Sequence, residues 1–367
     1  MKNFLNWVFA ATLVCGSMLF TTCSNNDNPT PTPPPSPTDI DLKDPLTIEA
    51  VEDGEIDITM EVILPEPVYY SVNGGEKQEV SLYDPHDPQA HPYTKIAVKV
   101  GDKVQLFSRN TTLSKDRDNN NGFYISFESE CYVYGNVMSL ISPDDNWKDN
   151  REIKEPYALE MLFCYTNIVT HPTRHLKLPA TKLSKGCYVG MFNSSWITDA
   201  PELPATQLAP RCYYYMFWAC EGLTEASDLP ATTLTESCYE AMFAYCDDLT
   251  EATSLPATQL KKRCYSYMFT NCSNLASAIE LPAEQLPERC YNSMFFKCFK
   301  LSSVKCLATT MTGDFALMSW LKYAGTDESV STRTLTHASE TPWVNSDEDP
   351  TELTDWFAPT GWTLVSQ

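Results

Sequence analysis

A tripeptide, Leu-Pro-Ala, returns along the second half of the chain at Leu178, Leu203, Leu229, Leu255 and Leu281. Two other signatures keep step with it. Cys-Tyr recurs at Cys187, Cys212, Cys238, Cys264 and Cys290, and Met-Phe at Met191, Met216, Met242, Met268 and Met294. The period is 25 residues once and 26 thereafter. Anchors locked to one period define a repeated supersecondary unit, and one such unit buries its apolar stripe only against its neighbours. A degenerate copy with Met161, Phe163 and Cys164 comes first, and another fades after Leu301, where Cys306 opens a Cys-Leu-Ala-Thr variant.

Within one repeat, Cys238, Met242, Cys246 and Leu249 stand at offsets of 4, 8 and 11. At about 100° per residue these share one helical face. The spacing predicts a short helix over 235–245, with Thr235 as N-cap. Pro256 bars further helix, so 249–256 reads as an extended return segment. Strand and helix in alternation predict an α/β leucine-rich-repeat solenoid over 155–310. The tyrosine after each cysteine lies one helical step from the core stripe. Tyr188, Tyr213, Tyr239, Tyr265 and Tyr291 therefore form a once-per-repeat ladder. It is a candidate binding surface for a protein or a sugar, or else packing between repeats.

The cysteine pairs Cys212/Cys220, Cys238/Cys246, Cys264/Cys272 and Cys290/Cys298 are each eight residues apart. Two helical turns separate such pairs by about 12 Å along the axis, too far for a bridge within the helix. Equivalent cysteines of successive repeats either stack as buried thiols or form disulfides between repeats. Zinc is a weaker reading, because no Cys-x2-Cys and no convergent histidines appear.

The first half has a different texture. Lys2 and the apolar stretch 4–20 read as a secretory signal over 1–22, too short and broken for a membrane span. Leu19-Phe20-Thr21-Thr22-Cys23 resembles a bacterial lipobox, which makes Cys23 the expected lipidation site and mature N-terminus. Residues 23–40 are a Pro-rich polar tether. From 41 to 154, short β-forming segments alternate with turn signals such as Asp53-Gly54 and Asn73-Gly74. An immunoglobulin-like antiparallel sandwich is expected there. Its loop holding Asp84, His86, Asp87 and His91 is broken by prolines and fixes no ligand face. The run from Asp116 to Gly122 misses the register of a calcium loop, whose glycine stands sixth. Residues 311–367 lose the repeat, and Trp343, Trp356, Phe357 and Trp362 are expected to cap it.

Formal charge is −22, from 26 basic and 48 acidic residues, which excludes nucleic acid as a partner. The consensus Leu-Pro-Ala-Thr-x-Leu…Cys-Tyr-x-x-Met-Phe-x-x-Cys-x-x-Leu resembles the BspA-like leucine-rich-repeat surface lipoproteins of the Bacteroides group. That resemblance implies a solenoid on the outer membrane, lipid-anchored and surface-exposed, that binds host extracellular or cell-surface proteins. It implies no catalytic residues; from the residues themselves no cofactor and no metal are expected. The expected function is a non-enzymatic adhesin; a glycan-binding accessory lipoprotein and a passive coat protein are the alternatives. The pair His171 and His175 lacks the carboxylate and nucleophile that catalysis needs.

Overall fold

A computed structural model describes residues 41–81, 93–114, 122–276, 279–345 and 356–367. The expected signal, Cys23 and the expected tether lie outside the described residues, as do 82–92, with Asp84, His86, Asp87 and His91, and 115–121.

In the N-terminal part the strands are β1 (Thr47–Ala50), β2 (Gly54–Met60), β3 (Val68–Val72), β4 (Gln78–Glu79), β5 (Tyr93–Val98), β6 (Lys103–Ser108), β7 (Phe123–Ser126) and β8 (Cys131–Asn136). Alternation builds them: Ile56, Ile58 and Met60 of β2 and Val104 and Leu106 of β6 point inward, between more exposed neighbours. Asn73 and Gly74, both at positive φ, turn β3 back onto β4. One antiparallel sheet runs β5-β2-β7. The other runs β8-β1-β6-β3-β4, and β8 continues it into the repeat region by pairing in parallel with β9 (Ile168–Val169) and β10 (Leu176–Lys177). The β-rich unit is therefore not a self-contained immunoglobulin-like sandwich, because its larger sheet is completed by the first repeats.

The α/β leucine-rich-repeat solenoid is not what the chain forms. Its regular structure is nearly all β, and no α-helix occurs among the described residues of 155–310. Strands β11 (Ile279–Leu281), β12 (Gln285–Leu286), β13 (Ser303–Cys306), β14 (Thr310–Met311), β15 (Thr334–His337), β16 (Val344–Asn345), β17 (Phe357–Ala358) and β18 (Thr363–Ser366) are gathered late in the chain. They make a parallel sheet β11-β13-β15-β18 and two parallel pairs, β12-β14 and β16-β17. These pieces do not join into one continuous sheet, and most earlier return segments touch only through isolated bridges such as Glu225 with Glu251.

In place of the expected helices stand seven ribbons of turns, at 157–165, 186–194, 211–219, 237–245, 263–271, 289–297 and 315–323. In the third ribbon, the N–H groups of Cys212, Tyr214, Met216 and Trp218 donate three residues back along the chain. Those of Arg211, Tyr213, Tyr215, Phe217 and Ala219 donate sideways to Glu236, Cys238, Glu240, Met242 and Ala244 of the next ribbon. The carbonyls of Cys212, Tyr214, Met216 and Trp218 accept from the ribbon before. Every N–H from Arg211 to Ala219 and every carbonyl from Arg211 to Trp218 thus has a partner, as burial requires.

This geometry places the first, fifth and ninth residue of each ribbon at φ between 51° and 64°, as in Arg211, Tyr215 and Ala219. Left-handed backbone costs an L-residue about 1–2 kcal/mol and is worst for β-branched side chains. None of those positions holds Val, Ile or Thr, and only Gly186 and Gly190 are glycine. Side chains then follow a period of four, two in and two out. Cys212, Tyr213, Met216, Phe217 and Cys220 are buried, while Tyr214, Tyr215, Trp218 and Ala219 face outward. A helix of 3.6 residues per turn would not keep two adjacent residues buried in every four.

Ala219 tests this backbone directly. Ala219→Gly is expected to raise the unfolding free energy by roughly 1 kcal/mol, while Ala219→Val lowers it by more than that. Urea midpoints of the two variants read the difference. A right-handed backbone at this position would reverse the order.

Candidate functional site

Burial sorts the repeat's aromatic residues into two classes. The inward class contains the tyrosine ladder. Tyr188, Tyr213, Tyr239, Tyr265 and Tyr291 are fully buried and stack in one column, with ring centroids 5.6 to 6.1 Å apart. A parallel column runs through Phe163, Phe192, Phe217, Phe243, Phe269 and Phe295. The ladder foreseen as a binding surface is therefore interior and cannot touch a partner of the folded chain. The helical reading put each tyrosine beside the core stripe. In a period of four it points inward with its cysteine neighbour. The repeated adjacent pairs Cys-Tyr and Met-Phe were the available signal. The hydroxyls of Tyr188, Tyr239, Tyr265 and Tyr291 are buried with no hydrogen-bond partner in the protein.

Cysteines form two more columns. All twelve at described positions are free and buried. Cys220, Cys246, Cys272 and Cys298 each donate Sγ–H to the carbonyl of a phenylalanine in the preceding ribbon, at 3.0 to 3.1 Å. Ser195 takes the equivalent place one ribbon earlier and lies 3.7 Å from Cys220. Burial pushes the Cys187, Cys220 and Cys238 thiols up to about 12. Thiols so held do not form the reactive thiolate near neutral pH.

The outward class makes a groove. Tyr215 and Trp218 of the third ribbon and Tyr245 of the fourth form one aromatic wall, with Trp218 and Tyr245 centroids 5.3 Å apart. Tyr267 of the fifth ribbon and Phe296 of the sixth stand further along, and Phe296 meets Tyr323 edge-on at 5.6 Å. Where the third ribbon carries Tyr215 and Trp218, the fourth carries Ala241 and Ala244, so its surface drops to form the floor. The recess has a volume of about 450 Å³. Tyr245 and Tyr267 are 45% and 41% exposed, much for rings of that size in a folded chain. Asn271, Thr270, Ser293 and Ser319 supply the polar groups, and the lining has no carboxylate, ammonium or guanidinium.

A second recess, of about 380 Å³, lies where β8, β9 and β10 meet the second repeat. The pair His171 and His175 belongs to its wall. His171 Nδ1 accepts from the N–H groups of Thr173 and Arg174, and its ring packs against Tyr132 and Tyr134. Burial lowers the His171 pKa. Arg174 binds the carboxylates of Asp41 and Asp44 and lies 4.3 Å over the Tyr134 ring. These contacts pin the start of the N-terminal unit to the repeats.

Among the described residues no cluster of three or more His, Cys, Asp or Glu could hold a metal ion, and no helix is long and apolar enough to cross a membrane. No family model matches the chain, and no curated protein or solved structure is significantly similar to it.

Two predictions follow from the buried columns. Tyr239→Phe removes only an unpartnered hydroxyl and is expected to hold or raise the melting temperature. Tyr239→Ala opens a cavity and should cost about 3–5 kcal/mol. A large loss in the Phe variant would mean that the hydroxyl has a partner after all. The second concerns pH. The buried thiols and tyrosines have pKa values raised above those of the unfolded chain. Above the ordinary thiol value the unfolded chain holds fewer protons than the folded one. Stability is therefore full below that value and is lost as pH climbs through the raised folded values. Melting temperature should stay level to about pH 8.5 and then fall steeply. A level profile to pH 11 would contradict thiol burial.

Proposed function

We propose that this chain is a lipid-anchored, exported surface protein that acts by binding, without catalysis, and that its contact site is the groove walled by Tyr215, Trp218 and Tyr245. The groove carries the proposal. The inward residues of the ribbons repeat almost without change, as packing demands, whereas the groove exists only where outward residues break the repeat. Exposed Tyr and Trp rings give large contact area at small entropic cost, which suits a binding surface.

Placement outside the cell is supported by the signal-like segment 1–22, the lipobox-like approach to Cys23 and the Pro-rich tether that follows. The repeat's resemblance to BspA-like surface lipoproteins of the Bacteroides group points the same way. The outer membrane is the proposed location and an extracellular molecule the proposed partner. The charge of −22 supports solubility and mutual repulsion at a crowded surface.

Expression of the full chain in a Bacteroides host tests both halves. Labelled palmitate should be incorporated, and Cys23→Ala should abolish labelling and release the protein from the membrane fraction. Intact cells should bind at least one of a panel of immobilised extracellular ligands (neutral glycans, mucin, fibrinogen, fibronectin), and Trp218→Ala with Tyr267→Ala should remove that binding at unchanged surface expression. Unlabelled wild-type protein would refute the anchor; binding indifferent to both substitutions would refute the groove.

A further inference from the structure

We infer that the groove takes a neutral polysaccharide, its sugar rings laid against Tyr215, Trp218 and Tyr267; this rests on the groove being the contact site. Three observations converge on that occupant. The first is charge. A chain of −22 has a lining with no ionised group at all. An anionic polymer would meet the repulsion of the whole molecule and find no cation in the groove to offset it. A cationic partner would find no carboxylate there. An uncharged partner meets neither cost.

The second is the kind of group present. A pyranose offers an apolar face of C–H bonds and a rim of hydroxyls. Flat rings of Tyr and Trp cover the apolar face. Asn271, Ser293 and Ser319 are neutral donors and acceptors of the kind that hydroxyls pair with. Few polar groups in a mostly apolar recess is the usual composition of a small-ligand site.

The third is shape and pitch. The recess is concave, about 450 Å³, and lined by residues from the third to the seventh ribbon. Neighbouring ribbons are hydrogen-bonded side by side at a sheet-like spacing of about 4.8 Å, and the rings they stack lie 5.2 to 5.7 Å apart between Phe192, Phe217, Phe243 and Phe269. That pitch is comparable to the advance of one hexose along an extended chain. A polymer running across the ribbons therefore meets a new ribbon with each sugar. A folded protein surface needs a broader, flatter patch, on the order of 800 Å² per partner.

The test is affinity electrophoresis of the full soluble chain, lacking only the signal and Cys23, through gels holding mixed-linkage β-glucan, galactomannan, starch or polygalacturonate. Wells coated with fibrinogen and fibronectin run in parallel. Retardation is expected in at least one neutral gel and not in polygalacturonate. Trp218→Ala and Tyr267→Ala should each weaken it about tenfold or more, the usual loss at an aromatic anchor. Trp196→Ala, an exposed aromatic outside the lining, should leave it unchanged and controls for folding. Retardation only in polygalacturonate, or in no gel, overturns the inference, as does neutral retardation that survives both groove variants. Binding to a coated protein that is lost in the groove variants, with no retardation in any gel, overturns the sugar but leaves the groove as the contact site.

Discussion

All the sideways hydrogen bonds of the ribbons point one way. Each odd residue from Arg211 to Ala219 sends its N–H toward the following ribbon, and each even carbonyl faces the preceding one. In an ordinary parallel sheet the bonds of one strand alternate between its two neighbours. Here one edge of a ribbon is all donor and the other all acceptor. Sideways peptides alternate with peptides bonded along the chain, and a left-handed residue at every fourth position accompanies that arrangement. One-way bonding also creates the need to cover the first acceptor edge. The N-terminal unit meets that need: Leu113 and Ile125 donate to the carbonyls of Ala158 and Leu162 in the first ribbon. The β-rich unit and the repeats are thus joined by hydrogen-bond accounting as well as by the shared sheet on β8.

Repetition was legible in the sequence because identical columns need identical residues. A phenylalanine stacked between two phenylalanines admits no other shape, so Phe192, Phe217, Phe243 and Phe269 recur at fixed spacing. The strands of the N-terminal unit were legible for the same reason, since alternation in β2 and β6 is a direct print of burial. The local backbone was not. Offsets of 4, 8 and 11 fit a helix at 3.6 residues per turn and a ribbon of period four almost equally over one repeat. What separates them is the residue beside each anchor. Tyr239 next to Cys238 and Phe243 next to Met242 are both interior, and a helix would turn one of each pair toward solvent. The missing β-branched residues at Arg211, Tyr215 and Ala219 carried the same message about backbone hand. The groove was legible only as an exception. Ala241 and Ala244 mean nothing alone and become a floor once Tyr215 and Trp218 are known to stand one ribbon away.

The same columns explain how a chain proposed to be exported to an oxidising compartment can carry its twelve described thiols unlinked. Equivalent cysteines such as Cys238 and Cys264 sit at matching positions of neighbouring, hydrogen-bonded ribbons, both free and buried. Matching positions keep Cβ atoms as far apart as the backbones, about 4.8 Å at sheet-like spacing, whereas a disulfide brings them to about 3.8 Å. Bridging one pair would pull two ribbons together and break the spacing on which the phenylalanine and tyrosine columns depend. Each Sγ–H of the second column also donates to a phenylalanine carbonyl, which oxidation would forfeit. The thiols are protected by the stack they help to build, so their reduced state depends on the ribbons forming before an oxidant reaches them.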